Sequence, residues 1–207
     1  MSEENIVFRF LAGSVDAVLF SEALYSDGEL GGLLRDPSLS WSDSYVGRYG
    51  DVFDYLITLN YSQLGDIINA MGALELFLGK KGIGGVVVNR TYNDLFRLML
   101  DAMPGYVDMD IDVHSAFYRQ QLLPIVEREI TRAEKKKQIR EKVKALFQYQ
   151  TKPPRWIQGA AWPMRDDVPL FFVGQVALKH EAFHDDGAVY IFLDTTSGEI
   201  KTVQQFY

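Results

Sequence analysis

The stretch PLFFVGQVAL (residues 169–178) is rich in β-branched and aromatic residues, which favour extended strands. Two runs of similar composition follow it, at residues 188–194 and 199–206. The turn-forming triplets DDG (185–187) and TSG (196–198) separate the three runs. Because strands joined by such short turns pair antiparallel, the end of the chain predicts a β meander.

The chain before this meander predicts mainly helices. Apolar residues recur at helical spacing in residues 64–78 and 92–103, and a longer helix is predicted over 115–149. Short strands are predicted at residues 52–59 and 106–113, the second because apolar residues and aspartates alternate there. We therefore predict an α+β protein, in which a helix-rich N-terminal part with short strands precedes a C-terminal antiparallel β meander.

Two consecutive prolines, Pro153 and Pro154, mark the clearest boundary in the sequence. Proline lacks a backbone N–H and cannot continue a helix, so the long helix has to end before this point. The sequence thus predicts an acidic α+β region over residues 1–150, which ends in a Lys-rich helix, and a β-rich module over residues 151–207. The two regions are expected to pack as one compact unit.

The composition is that of an ordinary globular protein, with 47% hydrophobic and 24% charged residues among 207. Cysteine is absent, which excludes disulfides, thiolate metal sites and a cysteine nucleophile. The sequence contains no Gly-x-Ser-x-Gly nucleophile motif. We therefore predict no catalytic residues, no metal site and no cofactor, and we expect that the chain is not an enzyme.

The N-terminal residues MSEEN do not have the basic, apolar pattern of a secretory leader, so a cytoplasmic location without a membrane partner is expected. The net charge is −7 and is unevenly distributed. Residues 1–126 carry 17 acidic and 8 basic side chains, whereas residues 127–152 carry 4 acidic and 9 basic ones. A negative field of this kind attracts basic partners and repels nucleic acid. The sequence therefore favours a basic protein partner over nucleic acid, although acidity can also serve solubility alone.

Three aspartates, Asp108, Asp110 and Asp112, are the strongest candidates for contacts with such a partner. In the predicted strand they share one face at a spacing of ~7 Å, which suits several Lys or Arg side chains. A calcium loop is excluded, because its sixth and twelfth positions fall on Val113 and Arg119 instead of glycine and an acid. The alternative is an acidic strand that only faces solvent.

Three aromatic residues, Trp41, Tyr45 and Tyr49, lie in a loop-rich stretch with many Gly, Ser and Asp residues. Aromatic side chains dominate many tight protein interfaces. We therefore predict that these residues add to the partner-binding surface.

The Lys-rich segment 135–144 and the pair His180 and His184 each have two interpretations. Four glutamates accompany the lysines: Glu127, Glu129, Glu134 and Glu141. Their helical spacing favours a solvated, salt-bridged helix face over a nucleic-acid site. The two histidines are four residues apart, as metal ligands on a helix would be, but the turn signals place them in a loop without a visible third ligand.

Residues 155–194 carry a further pattern. It consists of Trp-Pro, a strand that opens with Pro-x-x-Phe and contains Gln, and a closing strand that runs from Gly to Phe-x-Asp. The residues that carry it are Trp162, Pro163, Pro169, Phe172, Gln175, Gly187, Phe192 and Asp194. In order and spacing this pattern resembles the signature of the YwqG-like family, a bacterial domain family, with departures at Asp167 and Ala177. The pattern residues supply packing surface, and Gln175 can bond backbone at a sheet irregularity, so they form a fold signature.

The resemblance implies a partner. Members of the family recur as immunity proteins beside bacterial polymorphic toxins, including toxins delivered through contact-dependent routes such as type VI secretion, and several of these toxins are nucleases. A nuclease presents basic residues to phosphate, so an inhibitor that covers them benefits from carboxylates. The resemblance thus implies an immunity protein, monomeric or a small homo-oligomer, that binds and occludes a cognate toxin. The alternative is a small-ligand-binding or hydrolytic domain with a pocket against the C-terminal sheet.

Overall fold

The computed structural model describes residues 5–179 and 185–207. The chain divides into two compact units, Met1–Asp94 and Leu95–Tyr207. In the described residues, the first unit contains helices and loops, and the second contains helices followed by all the strands. The α+β class and the order of helices first and meander last are confirmed. The separation into regions 1–150 and 151–207 stays a prediction.

Aspartates begin several helices of the first unit. The helices described there are α1 (Ile6–Leu11), α2 (Ala17–Ser26), α3 (Gly28–Leu34), α4 (Val52–Leu56) and α5 (Leu64–Lys80), with a 3-10 turn at Tyr45–Arg48. The carboxylates of Asp16, Asp27 and Asp51 accept hydrogen bonds from the first backbone N–H groups of α2, α3 and α4. Each cap satisfies donors that have no partner within the helix.

The predicted helices at residues 64–78 and 92–103 are confirmed as α5 and α6 (Thr91–Ala102). The predicted strand at residues 52–59 is wrong, because Val52–Leu56 forms α4. The carboxylate of Asp51 accepts a hydrogen bond from the backbone N of Asp54 at 2.8 Å and so starts a helix. Four of the five residues of α4 are buried, so burial on several sides, and not β propensity, decides its conformation.

The predicted strand at residues 106–113 is also wrong. Asp108 accepts a hydrogen bond from the backbone N of Asp110 at 2.9 Å, and Asp112 accepts one from that of His114 at 2.7 Å. Such local bonds between side chain and backbone compete with a strand ladder and turn the chain instead. The expected common apolar face is lost as well, because Met109 is exposed.

The long helix predicted over residues 115–149 is interrupted. A π-helical turn at Tyr118–Leu122 leads into the short α7 (Leu123–Val126), and α8 (Arg132–Leu146) begins separately. Proline is tolerated in the first turn of a helix, and Pro124 lies there in α7. Thr131 and Glu134 cap α8 reciprocally through their side chains and backbone N–H groups. The capping box therefore starts a new helix where the sequence suggested a continuous one.

The strands of the second unit form two antiparallel sheets. The hairpin of β1 (Met164–Arg165) and β2 (Val168–Pro169) precedes a sheet with the order β3-β4-β5, formed by Phe171–Leu178, Gly187–Leu193 and Ile200–Phe206. This sheet is the predicted meander. A bulge between Phe172 and Gly174 shifts the register of β3 against β4.

The inner face of this sheet carries the aromatic core of the second unit. Its buried residues are Leu170, Phe172, Ala188, Tyr190 and Phe192, and Trp156, Ile157, Trp162 and Val203 pack against them. The ring centroids of Phe192 and Phe172 lie 5.1 Å apart, and those of Phe192 and Trp162 lie 5.4 Å apart. Aromatic side chains contribute large apolar areas, so this cluster stabilises the packing of the sheet.

The substitution Phe192→Ala should lower the free energy of unfolding by about 3–5 kcal/mol, because the ring is fully buried and leaves a cavity. Val176→Ala is the matched control on the same sheet, with a side chain that is 55% exposed. Its cost should stay within about 0.5 kcal/mol. Urea titrations followed by circular dichroism measure both variants, and equal losses would contradict this account of the core.

Candidate functional site

A cleft in the second unit brings the three predicted aspartates together. Its volume is about 320 Å³. Asp108, Asp110, Asp112 and Asp167 supply carboxylates to the lining, and apolar side chains form most of the remainder. The apolar part includes Val107, Ile111, Phe117, Phe147, Trp162 and Met164. The cleft therefore combines negative charge with a surface that can take up an aliphatic or aromatic group.

Backbone N–H groups hold several of these carboxylates in place. The Oδ1 atom of Asp112 accepts hydrogen bonds from the backbone N of His114 and of Ser115, at 2.7 and 3.0 Å. The Oδ1 atom of Asp108 accepts one from the backbone N of Asp110. A carboxylate has two oxygens and about four acceptor sites, so each side chain is oriented and can still accept hydrogen bonds from a partner.

Asp167 is a residue of the cleft that the sequence analysis did not select. With Asp166 it forms the turn between β1 and β2, and both have positive φ angles, 47° for Asp166 and 63° for Asp167. Aspartate tolerates this left-handed conformation better than most residues. The Asp-Asp pair is a turn signal in the sequence. Only the tertiary structure, however, brings the Oδ2 atom of Asp167 within 3.0 Å of the backbone N of Ala116, 51 positions away.

Trp162 connects the cleft to the core of the sheet. Its indole Nε1 donates a hydrogen bond to the carbonyl of Leu170 at 2.8 Å. Its ring contacts Phe147, which also lines the cleft, and Phe172 and Phe192, which belong to the sheet core. The hydrogen bond and the three ring contacts fix the position of the indole. The aromatic side of the cleft is therefore well ordered by packing.

The three predicted aromatic residues lie in the first unit, whereas the aspartates lie in the second. Trp41 is buried, with an exposed fraction of 4%, and its ring lies under the ammonium of Lys80 at 5.6 Å. Tyr45 and Tyr49 are about half exposed and make edge contacts with Tyr55. The two tyrosines therefore offer an accessible aromatic surface, whereas the buried Trp41 stabilises the packing of the loop-rich stretch around it.

Tyr45 and Tyr55 keep their hydroxyl protons at neutral pH. Burial raises the pKa of Tyr55 to about 12, with smaller contributions from Tyr45 and Tyr49. Burial likewise raises the pKa of Tyr45. Neutral phenols next to one another can donate or accept hydrogen bonds without adding to the negative charge of the unit.

The signature residues act structurally. The Oε1 atom of Gln175 accepts a hydrogen bond from the backbone N of Arg155 at 2.8 Å, just after the bulge in β3, as the sequence indicated. Gly187 faces β5 so closely that a Cβ would come within 2.6 Å of the carbonyl oxygen of Gln205. The carbonyl of Pro163 accepts a hydrogen bond from the backbone N of Leu170, next to Pro169, which ends β2.

Asp194 organises the turn between β4 and β5. Its Oδ1 atom accepts hydrogen bonds from the backbone N of Thr196 at 2.8 Å and of Ser197 at 3.2 Å. Its other carboxylate oxygen forms an ion pair with Arg165 of β1. The hydrogen bond from Thr196 is the main reason that the pKa of Asp194 lies below its usual value, and Ser197 and Arg165 act in the same direction.

The histidines do not form a recognisable site. His180 and His184 lie outside the described residues. The Nδ1 atom of His114 is 3.1 Å from a guanidinium nitrogen of Arg119. Among residues 5–179 and 185–207, no group of three or more His, Cys, Asp or Glu side chains is arranged to hold a metal ion.

Comparisons with family models, with curated proteins and with solved structures find no match to this chain. The resemblance of residues 155–194 to the YwqG-like family therefore rests on the sequence pattern quoted above. Within the part of the chain that the structure describes, no helix is long and apolar enough to cross a membrane.

The lowered pKa of Asp194 predicts a pH-dependent effect of the substitution Asp194→Asn. A carboxylate with a lower pKa in the folded state adds stability above its unfolded value of about 3.9, and this contribution is lost as the pH falls through the folded pKa. The variant should therefore be less stable than the natural chain at pH 7, and the difference should shrink towards pH 3. Urea midpoints at the two pH values test this, and a constant difference would contradict it.

Proposed function

We propose that this chain is a binding protein that covers a basic surface of a partner protein, in the manner of an immunity protein that blocks a cognate toxin. The observation that carries the proposal is the cleft in which Asp108, Asp110, Asp112 and Asp167 supply carboxylates to an otherwise largely apolar lining. This combination matches the two parts of a Lys or Arg side chain, an aliphatic stem and a charged head.

The outer face of the sheet supports a protein as the partner. Antiparallel sheets commonly present polar residues to water on one face. Here the outer face carries exposed apolar side chains, with Val176 exposed by 55% and Ile200 by 70%. Their neighbours Val189 and Ile191 are half-buried and point to the same side. Exposed apolar side chains on one face of a sheet favour a protein interaction site there.

The distribution of charge supports a basic partner. The first unit contains 13 acidic and 6 basic residues, whereas the second contains 15 of each, so the first unit accounts for the whole net charge of −7. Long-range negative potential accelerates the encounter with a basic protein, and close carboxylates then contribute to specificity. A nuclease is the toxin class that suits this arrangement best, because its substrate-binding surface has to be basic. Covering that surface excludes the phosphate backbone, and the inhibitor needs no chemistry of its own.

A second candidate is a small cationic ligand bound in the same cleft. Its volume of about 320 Å³ lies at the lower end of the range for small-molecule sites, and Trp162 places it against the C-terminal sheet. Under this alternative, spermidine or argininamide should raise the melting temperature of the isolated chain, and the variant Asp110→Asn should reduce the shift. An unchanged melting temperature with both compounds would exclude this candidate.

Co-expression with the product of the neighbouring gene tests the main proposal. That product should arrest growth alone, and this chain should restore growth and co-purify with it. The triple variant Asp108→Asn, Asp110→Asn and Asp112→Asn keeps acceptor oxygens for the local turns but removes the charges. We expect it to associate at least tenfold more slowly at low salt, because steering by close charges is lost.

The matched control removes three exposed carboxylates elsewhere, by Glu22→Gln, Glu29→Gln and Glu129→Gln. It changes the net charge equally and should retain most of the association rate. Equal slowing of both variants would show that only the total charge matters and would remove the cleft from the proposal. A neighbouring product that is harmless alone, or toxic regardless of this chain, would overturn the immunity function.

A further inference from the structure

Helix α8 has a strongly basic surface. Its 15 residues include seven Lys or Arg and two Glu side chains. Only two of its residues, Ile139 and Val143, are buried. A helix with so little buried surface exposes most of its charged side chains to solvent.

The glutamates do not neutralise this surface as the sequence suggested. Glu134 is engaged in the capping box with Thr131, and Glu127 and Glu129 lie before the helix begins. Within α8, all of whose residues are described, the ion pair is that of Lys137 with Glu141, at 4.0 Å and with both side chains more than 60% exposed. Exposed pairs of this kind contribute little. Outside the helix, the carboxylate of Asp101 pairs with Arg132 at 2.8 Å and interacts electrostatically with Lys136 and Arg140. The basic face is therefore only partly neutralised, and its positive charges still outnumber the carboxylates beside them.

Four of the cations form one row. Lys136, Lys137, Arg140 and Lys144 line a shared groove with a volume of about 370 Å³. Positions 136, 140 and 144 follow one another by roughly one helical turn, which places them about 6 Å apart along a row of about 12 Å. A DNA strand carries one phosphate per ~3.4 Å of rise, so this row spans three to four phosphates.

Two hydrogen bonds to backbone carbonyls fix the side chain of Arg140 within the row. Its Nε atom donates a hydrogen bond to the carbonyl of Ala102 at 3.1 Å, and its Nη2 atom donates one to the carbonyl of Asp101 at 2.6 Å. These two bonds hold the guanidinium in place and leave three of its five N–H donors for a ligand. The remaining cations are lysines, which bind phosphates as flexible point charges.

The residues that line the groove favour a nucleic acid over an acidic protein as the polyanion. Protein interfaces depend on buried aromatic or aliphatic anchors. The remaining members of this lining are Ala133 and Glu141, which provide no such anchor. Binding by charge alone is typical of contacts with a nucleic-acid backbone. We propose that the row Lys136, Lys137, Arg140 and Lys144 binds the phosphate backbone of a nucleic acid without reading its sequence.

The net charge of the chain does not oppose this proposal, because the excess of acidic residues belongs to the first unit and the second unit is balanced. The sequence predicts no nucleic-acid partner, partly because glutamates at helical spacing favour a neutralised helix face. The proposal is independent of the function proposed for the acidic cleft, and each can fail while the other holds.

Fluorescence anisotropy with a labelled 20-base-pair DNA duplex tests the proposal on the full chain. At 50 mM salt we expect a dissociation constant in the micromolar range. The logarithm of the association constant should fall with the logarithm of the salt concentration with a slope of about −3. The double variant Lys136→Gln and Lys144→Gln should weaken binding about tenfold and make the slope less negative by about two. Circular dichroism checks that the variant is folded.

The control Lys142→Gln and Lys152→Gln removes the same charge from positions outside the groove. It should bind nearly as well as the natural chain. Absence of binding at 50 mM salt, or equal weakening by both double variants, would overturn the proposal. A 20-residue polyglutamate that competes as well as unlabelled duplex would overturn it too, because it would assign the row to acidic proteins. None of these results depends on the carboxylates of the cleft.

Discussion

The second unit depends on the contact of Trp162 with the inner face of the sheet. The indole touches Phe172 and Phe192, and its Nε1 bonds to the carbonyl just before β3 begins. The same ring forms a wall of the acidic cleft with Phe147. Because protein interiors are closely packed, a shift of one sheet residue would displace this wall. The shape of the cleft and the stability of the sheet are therefore two consequences of one packing arrangement.

Aspartate serves three purposes in this chain, and its local hydrogen bonds explain all three. At the start of α2, α3 and α4 it caps a helix, and in residues 108–115 it bends the backbone. At Asp194 it closes the turn between two strands. Around the cleft the same bonds orient carboxylates whose charge is available for a partner. A side chain held in place before binding loses less conformational entropy on binding, which favours affinity.

The second unit has an acidic cleft and a basic helix face. The cleft carries carboxylates that suit a basic protein, whereas α8 carries amines that suit phosphate. Because this unit has no net charge, the binding proposed for it depends on local fields and not on total charge. The exposed apolar outer face of the sheet adds a surface on which a protein partner can bury area. All three features support the binding roles proposed above.

Local sequence patterns alone predict the β meander and the helices α5 and α6, because alternation and helical spacing of apolar residues directly reflect which side of an element is buried. The backbone hydrogen bond predicted for Gln175 is confirmed, whereas partner contacts of Asp108, Asp110 and Asp112 stay a prediction. The tertiary structure decided that residues 106–113 turn instead of extending, that Trp41 is buried, and that Asp167 joins the cleft. It also decided that the glutamates beside α8 neutralise its lysines only in part. The burial of Trp41 and the position of Asp167 depend on packing and hydrogen bonds between residues that are distant along the chain. The turn at residues 106–113 depends on local aspartate bonds that compete with the alternation of apolar residues.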